Sequence, residues 1–169
     1  MNGTRLADEG TQGHRAIVWE HGGPRASALE EVMAERFSAR HAIATASPMV
    51  AFHLAYRACG HPQGTTVLGT SFADPAVVRA AVACGHRLGY ADVDERGHLV
   101  ENAVRAHIAV RGRPGIVVAS HHAGYPCETS LLATAAPGAL LIEDAIDAAG
   151  AVSADGRPIG CPHNAAMVV

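Results

Sequence analysis

The sequence predicts an α/β fold in which a mainly parallel sheet carries helices on both faces. Short apolar runs alternate along the chain with longer amphipathic stretches, and this order is typical of βαβ units. A length of 169 residues, of which 49% are apolar, is enough to bury one hydrophobic core. Because aromatic residues make up only 4%, that core is expected to consist of Ala, Val, Leu and Ile. We divide the chain into an irregular arm at residues 1–25 and an α/β domain at residues 26–169.

The predicted strands are the short apolar runs, each bounded by turn-forming or polar residues. They lie at residues 41–45, 66–69, 87–91, 116–120, 139–142 and 165–169. A strand inside a parallel sheet is buried on both faces. We therefore expect further chain to cover the run at 165–169, so that the sheet continues beyond residue 169.

Capping signals place helices between these strands. Ser27 opens the first helix with the spacing of a capping box. Ser47 and Asp74 open the second and third, because each is a capping residue followed directly by a proline. The predicted helices lie at residues 27–37, 48–59, 76–84, 99–111 and 129–136.

Two adjacent carboxylates, Glu143 and Asp144, directly follow the apolar run at residues 139–142. In an open α/β sheet, ligands bind at the carboxyl ends of the strands. A carboxylate at this place can pair with a positively charged group of a ligand. Alternatively, Glu143 or Asp144 only caps the loop or helix that follows. The local pattern leaves both interpretations open.

Charge and hydropathy exclude several classes of protein. The formal net charge of -3 at pH 7 provides no basic surface for nucleic acid. No apolar run approaches the ~20 residues of a membrane span. The first residues also lack the apolar core of a signal peptide. We therefore expect a cytoplasmic protein without nucleic-acid or membrane partners.

The thiol and imidazole side chains do not form a metal-binding pattern. The 4 cysteines are scattered without a CxxC pair, and the 11 histidines show no zinc-ligand spacing. Two fragments, His121-His122 and Cys161-Pro162-His163, come nearest to a ligand pair. In a reducing compartment the cysteines are expected to be small buried hydrophobic residues, and we predict no metal site.

Arginine supplies all 13 basic residues, and the 169 residues contain no lysine. An arginine side chain does not form a Schiff base in place of a lysine. The side chains of these residues therefore cannot supply an amine nucleophile.

A series of short motifs follows the predicted elements. They are Gly23-Pro24, residues 40–44 (Arg-His-Ala-Ile-Ala), residues 64–67, Ser71-Phe72, residues 83–94, His121-x-x-Gly124-x-Pro126, residues 142–145 (Ile-Glu-Asp-Ala) and residues 156–160 (Gly-Arg-Pro-Ile-Gly). In order and spacing this series resembles the pyridoxal-phosphate-dependent sugar aminotransferases of the DegT/DnrJ/EryC1/StrS family, which belong to fold type I. The resemblance extends from about residue 20 to residue 169 and covers the N-terminal part of the family's large domain.

This resemblance implies a dimer with active sites shared across subunits, a pyridoxal phosphate cofactor and amino transfer to a keto-sugar. It also implies that Asp144 pairs with the pyridine nitrogen and keeps the ring protonated, which lets the ring act as an electron sink. His121 matches the histidine of the loop below the ring. The family's Schiff-base lysine would follow the motif that ends at Gly160, beyond residue 169.

Several positions depart from the family pattern. Where the family has Ser-Gly-Thr at a helix start that holds the cofactor phosphate, this chain has Ser47-Pro48-Met49. Pro48 has no N–H and Met49 has no hydroxyl, so two donors to the phosphate are lost. Asp74 stands where the family has an aromatic residue stacked on the ring, and Asp147 replaces a glutamine.

Four functions fit this pattern. The chain is a degenerate paralogue that keeps only the fold, one half of a split aminotransferase, a pseudoenzyme subunit that binds a catalytic homologue, or an independent enzyme. The last of these would use His121, Asp144 and Asp147 for acid–base chemistry without the cofactor, whereas the first three share the expectation that this chain alone does not transaminate. We predict a chain that acts in sugar or secondary-metabolite biosynthesis with a partner, as a homodimer or as a heteromer with an aminotransferase-like chain. The candidates for a catalytic role are His121 and Asp147.

Overall fold

A computed structural model of the chain describes residues 23–154, 156–160 and 167–169. Helices and short strands alternate along most of this part of the chain. In chain order they are α1 (Gly23–Arg36), α2 (Pro48–Ala58), β1 (Thr66–Gly69), α3 (Pro75–Ala83), β2 (Arg87–Tyr90), α4 (Glu101–Arg111), β3 (Ile116–Ser120), a 3₁₀ turn (His122–Gly124), α5 (Thr129–Ala135), β4 (Leu140–Asp144) and β5 (Met167–Val168).

The strands form one sheet in the order β2-β1-β3-β4-β5, and every neighbouring pair is parallel. The chain passes from β1 to β2 on one side and then crosses to β3 on the other side of β1. Open α/β sheets bind ligands beside such a reversal of strand order, at the carboxyl ends of the strands. The predicted parallel sheet is confirmed, and its topology points to the edge where β1, β3 and β4 end.

Helices cover both faces of the sheet, as predicted. On one face, Val67 and Ile142 pack with residues of α2 and α3. On the other face, Leu68 and Leu141 pack with residues of α4 and α5. Because consecutive side chains of a strand point to opposite faces, each core draws on alternate residues of the same strands. None of the helices in this described part of the chain has the length and hydropathy that a bilayer span requires.

Local sequence signals located most elements correctly. The strands at 66–69 and 116–120 have the predicted bounds, and the other central elements differ from prediction by two residues or fewer. Ser47 and Asp74 both cap their helices, accepting hydrogen bonds from the N–H groups of Val50 (3.3 Å) and Ala76 (2.6 Å). The predicted last strand is present at Met167–Val168, where it pairs with β4, while residues 165 and 166 lie outside the described part.

Two sequence predictions are wrong. Residues 41–45 do not form a strand: Ile43 is 72% exposed, and the Ala44 N–H donates to the Glu30 carboxylate at 2.8 Å. The segment has a strand's composition but pairs with no strand of the described part of the chain. The first helix begins at Gly23 and not at Ser27, because Pro24 already supplies the backbone geometry of a helical first turn. The proposed boundary of the arm at residue 25 stays a prediction, since residues 1–22 lie outside the description.

Candidate active site

A cavity of about 190 Å³ lies at the carboxyl ends of the central strands. The loop after β1, the ends of β3 and β4, and the segment after β4 form its walls. Its lining residues are Phe72, Ala73, Asp74, Pro75, Ser120, His121, His122, Asp144, Ile146 and Asp147. We call it the aspartate cavity, because three of these residues are aspartates.

The structure brings together four of the predicted site residues, Asp74, His121, Asp144 and Asp147, around the aspartate cavity. They come from three separate places in the sequence. Ser47-Pro48-Met49 begins α2 and is not part of the lining.

Asp144 is the last residue of β4 and lies beside Ser120 of β3 in the sheet register. Only 6% of Asp144 is exposed, and its Oδ1 accepts a long hydrogen bond from the Ile146 N–H at 3.4 Å. Burial raises the pKa of Asp144. Hydrogen bonds from the Ser120 hydroxyl and the Ile146 N–H partly oppose this, and the Asp74 and Asp147 carboxylates raise the pKa by smaller amounts. No described cationic side chain forms an ion pair with Asp144. A cationic group of a ligand would supply the missing partner.

His121 follows β3 directly, and its ring is held from two sides. The Cys127 backbone N–H donates to Nδ1 at 2.8 Å, so the proton of the neutral ring resides on Nε2. Nε2 lies 3.5 Å from Glu143 Oε2 and completes no hydrogen bond among the described residues. Tautomer and ring orientation are therefore set by the backbone at Cys127 and the carboxylate of Glu143.

The two adjacent carboxylates of β4 consequently have different tasks. Consecutive residues of a strand face opposite sides of the sheet, so Asp144 and Glu143 cannot enter the same space. Asp144 lines the aspartate cavity, while Glu143 faces His121. The capping alternative holds only in part for Asp144, through its long contact with the Ile146 N–H.

Six lining residues were not among the predicted site residues, and three of them, Phe72, Ser120 and His122, carry polar or aromatic side chains. Ser120 ends β3, and its buried hydroxyl lies beside the Asp144 carboxylate, whose pKa it lowers by hydrogen bonding. Phe72 and His122 meet edge to face, with ring centroids 6.0 Å apart. Ser120 had only its position at the end of a predicted strand as a signal, whereas Phe72 belongs to the Ser71-Phe72 motif and His122 to the His121-His122 pair.

The family model for the DegT/DnrJ/EryC1/StrS aminotransferase family matches residues 6–168. The chain belongs to this family. Its five-stranded parallel sheet with helices matches the large domain of fold-type I pyridoxal phosphate aminotransferases.

Individual relatives agree with the family assignment. The chain is 28% identical over 132 residues to the spore coat polysaccharide biosynthesis protein SpsC of Bacillus subtilis (strain 168), covering 77% of this chain and 34% of that protein. The crystal structure of 3-amino-5-hydroxybenzoic acid synthase is 30% identical with a TM-score of 0.75, covering 84% of this chain and 37% of that one. An aminotransferase from Psychrobacter cryohalolentis is 26% identical with a TM-score of 0.73, covering 82% and 35%. The chain thus spans about a third of the length of these relatives.

Pyridoxal phosphate fits only one end of the site. The unpaired, buried carboxylate of Asp144 is suited to the cationic nitrogen of the pyridine ring. No arginine lines the aspartate cavity, and Asp74 and Asp147 add negative charge there. At the start of α2, Pro48 has no N–H and the Val50 N–H already donates to Ser47 Oγ. The residues present therefore fit the ring and do not fit the phosphate.

Among the described residues, no group of three or more His, Cys, Asp or Glu side chains is arranged to hold a metal ion.

Replacing Asp144 with asparagine is expected to stabilise the fold at pH 7. Because the folded chain raises the pKa of Asp144, it binds that proton more strongly than the unfolded chain does. Ionisation of Asp144 therefore destabilises the folded wild-type chain. This destabilisation is absent below the ordinary aspartate pKa of about 3.9 and develops as pH rises through the raised pKa of Asp144. Urea unfolding should show Asp144→Asn more stable than wild type at pH 7, with the difference shrinking towards pH 4.

The matched control is Asp92→Asn, at an exposed aspartate outside the aspartate cavity. Its free energy of unfolding is expected to stay within about 0.5 kcal/mol of wild type at both pH values. An Asp144→Asn variant whose stability relative to wild type is the same at pH 4 and pH 7 would contradict the assignment.

Proposed function

We propose that this chain is an aminotransferase-like subunit of sugar or secondary-metabolite biosynthesis that works with a partner chain in the cytoplasm. Its 169 residues do not transaminate by themselves. The observation that carries the proposal is the composition of the aspartate cavity: it presents an unpaired carboxylate for a pyridinium ring, and no arginine for a phosphate. No side chain of these 169 residues carries a primary amine, so the Schiff-base lysine has to come from outside them.

The proposal predicts weak binding of pyridoxal phosphate that improves when the phosphate donors are restored. Each lost hydrogen bond to a charged group contributes roughly 1.5–3 kcal/mol. Pro48→Gly with Met49→Thr returns a backbone N–H and a hydroxyl to the start of α2. Calorimetry should therefore show affinity increased by about 100-fold or more, because two such bonds are restored.

A matched control is available on α1, which also begins next to a proline. Pro24→Gly with Met33→Thr makes the same chemical changes away from the aspartate cavity and should leave affinity unchanged. Asp74→Asn removes one negative charge while retaining a side chain that caps α3, and it should raise affinity as well. Unchanged affinity in both the α2 double variant and Asp74→Asn would contradict this explanation of weak binding.

The helices α1 and α2 support the proposed association with a partner. No residue of α1 is buried, and its Leu29 and Val32 are 53% and 59% exposed. On α2, Val50 and Leu54 are 42% and 44% exposed. Exposed apolar residues on two successive helices are suited to contact with another chain.

Light scattering of the purified chain, and co-expression with aminotransferase-like products of neighbouring genes, test this association. We expect a homodimer or a heteromer that Leu54→Glu disrupts, whereas Val110→Glu, at an equally apolar exposed position on α4, does not. A heteromer that recovers transaminase activity identifies a split enzyme, and a complex without activity identifies a pseudoenzyme subunit. A folded monomer that forms no complex would contradict the proposal.

Acid–base catalysis without the cofactor is the second candidate function. The observation that favours it is the raised pKa of buried Asp144 in a cavity shared with His121 and Asp147. Turnover of a nucleotide-linked keto-sugar by cofactor-free, monomeric chain, lost in Asp147→Asn, would support this candidate and contradict the partner-dependent one.

A further inference from the structure

A second cavity lies at the opposite edge of the sheet, where the strands begin. Thr66 and Arg87 are the first residues of β1 and β2, and Gly115 directly precedes β3. All three line a broad depression of about 410 Å³ that is wide open to solvent, together with His61 and Arg113. We call it the basic cavity. It is separated from the aspartate cavity by the length of the strands, and the two share no lining residue.

The charge of the basic cavity is opposite to that of the aspartate cavity. Arg87 and Arg113 both line it, and no Asp or Glu does. Arg87 Nε donates to the Gly64 carbonyl at 2.7 Å, which fixes the guanidinium plane and leaves its terminal NH₂ groups for other acceptors. Neither arginine belongs to an ion pair of the described residues. Two unneutralised guanidinium groups therefore face one space in a chain whose net charge is -3.

Buried imidazole atoms beside the basic cavity also lack partners. Nε2 of His61, which lines the cavity, and Nδ1 of the buried His86 form no hydrogen bond among the described residues. Buried polar atoms are normally satisfied, so each unsatisfied one calls for a ligand or water. Gly115 keeps this wall open, because a Cβ there would collide with the Thr65 side chain and lie 3.4 Å from the His61 ring.

We propose that the basic cavity binds the phosphoryl group of a small anionic metabolite. A phosphate dianion carries several strong acceptor oxygens, and guanidinium groups pair with it through two parallel hydrogen bonds. This site is independent of cofactor binding at the aspartate cavity.

Titration of the 169-residue chain with pyrophosphate, followed by calorimetry and by backbone amide NMR shifts, tests the site. We expect saturable binding at one site, with the largest shifts at Gly115 and Gly64 and none at Ser120. Arg113→Met should weaken binding by at least about tenfold. Because no described contact depends on the Arg113 side chain, this variant is expected to fold normally.

Arg111→Met is the matched control. It removes the same charge two residues earlier in the chain, from a side chain that does not line the basic cavity. It should change affinity by less than about twofold, because a guanidinium outside the lining forms no hydrogen bond with the bound phosphate. Succinate, a dicarboxylate, should bind at least about tenfold more weakly than pyrophosphate. Equal weakening in both variants, equal affinity for succinate, absence of saturable binding, or shifts centred on Ser120 would overturn the proposal.

Discussion

Borohydride reduction of the 169-residue chain mixed with pyridoxal phosphate is expected to leave no pyridoxyl group on any side chain. Schiff bases form on primary amines, and the chain has no lysine, while its 13 basic residues are all arginine. Peptide mass spectrometry after reduction locates any adduct. Labelling of the α-amino group of Met1 does not count, because that amine belongs to every chain. A trapped adduct on an internal side chain would contradict the premise that no side chain of this chain forms the Schiff base.

A gain-of-function variant makes the negative result informative. His122 is half-buried and lines the aspartate cavity, so His122→Lys places a primary amine at that site. Reduction should then trap the cofactor at position 122, and adding Asp144→Asn should suppress trapping because the ring loses its carboxylate partner. Arg111→Lys, an exposed lysine outside the cavity, serves as the control for non-specific labelling. Equal labelling at positions 111 and 122 would show that the cavity does not receive the ring.

Truncating Phe52 is expected to have the largest effect on stability. Phe52 of α2 is fully buried, at 0% exposure, in the core that supports the sheet face on which Asp144 lies. Its ring packs against Tyr56 with centroids 6.1 Å apart. Removing a buried aromatic ring leaves a cavity and typically costs about 3–5 kcal/mol. Phe52→Ala should therefore lower the free energy of unfolding by that amount in urea denaturation.

The chain offers a matched phenylalanine for comparison. Phe72 is 58% exposed, so Phe72→Ala should cost less than about 1 kcal/mol. Because Phe72 lines the aspartate cavity, its truncation is expected to affect ligand binding more than folding. Similar losses of stability in the two variants would contradict the burial-based explanation.

Local signals in the sequence were sufficient for most of the elements. Ser47 and Asp74 cap helices because a capping side chain bonds an N–H only two or three residues away, which the local sequence can encode. The apolar runs at 66–69 and 116–120 became strands because each is buried between two neighbours in the sheet. The run at 41–45 has similar composition but no neighbour, and Ile43 stays exposed.

The candidate site was also predictable only where local sequence or the order of motifs defines it. The position of the carboxylates at a strand's carboxyl end was predicted from the sequence, as was the grouping of Asp74, His121, Asp144 and Asp147 through the family resemblance. The separate tasks of Glu143 and Asp144 depended on how far β4 extends and which face each residue occupies. The contact of the Ser120 hydroxyl with Asp144 and the basic cavity combine residues far apart in the chain, so no local pattern indicated them.

The sequence by itself determined the α/β class, the helix caps, the family and the absence of an amine-bearing side chain in these 169 residues. Those properties depend on composition, on contacts over a few residues, or on the order of motifs. Only the tertiary structure decided which carboxylate enters the cavity and how His121 is oriented. It also decided that negative charge gathers where the strands end and positive charge where they begin. These features arise from pairing and packing between distant segments, because a side chain's field and desolvation depend on its neighbours in space.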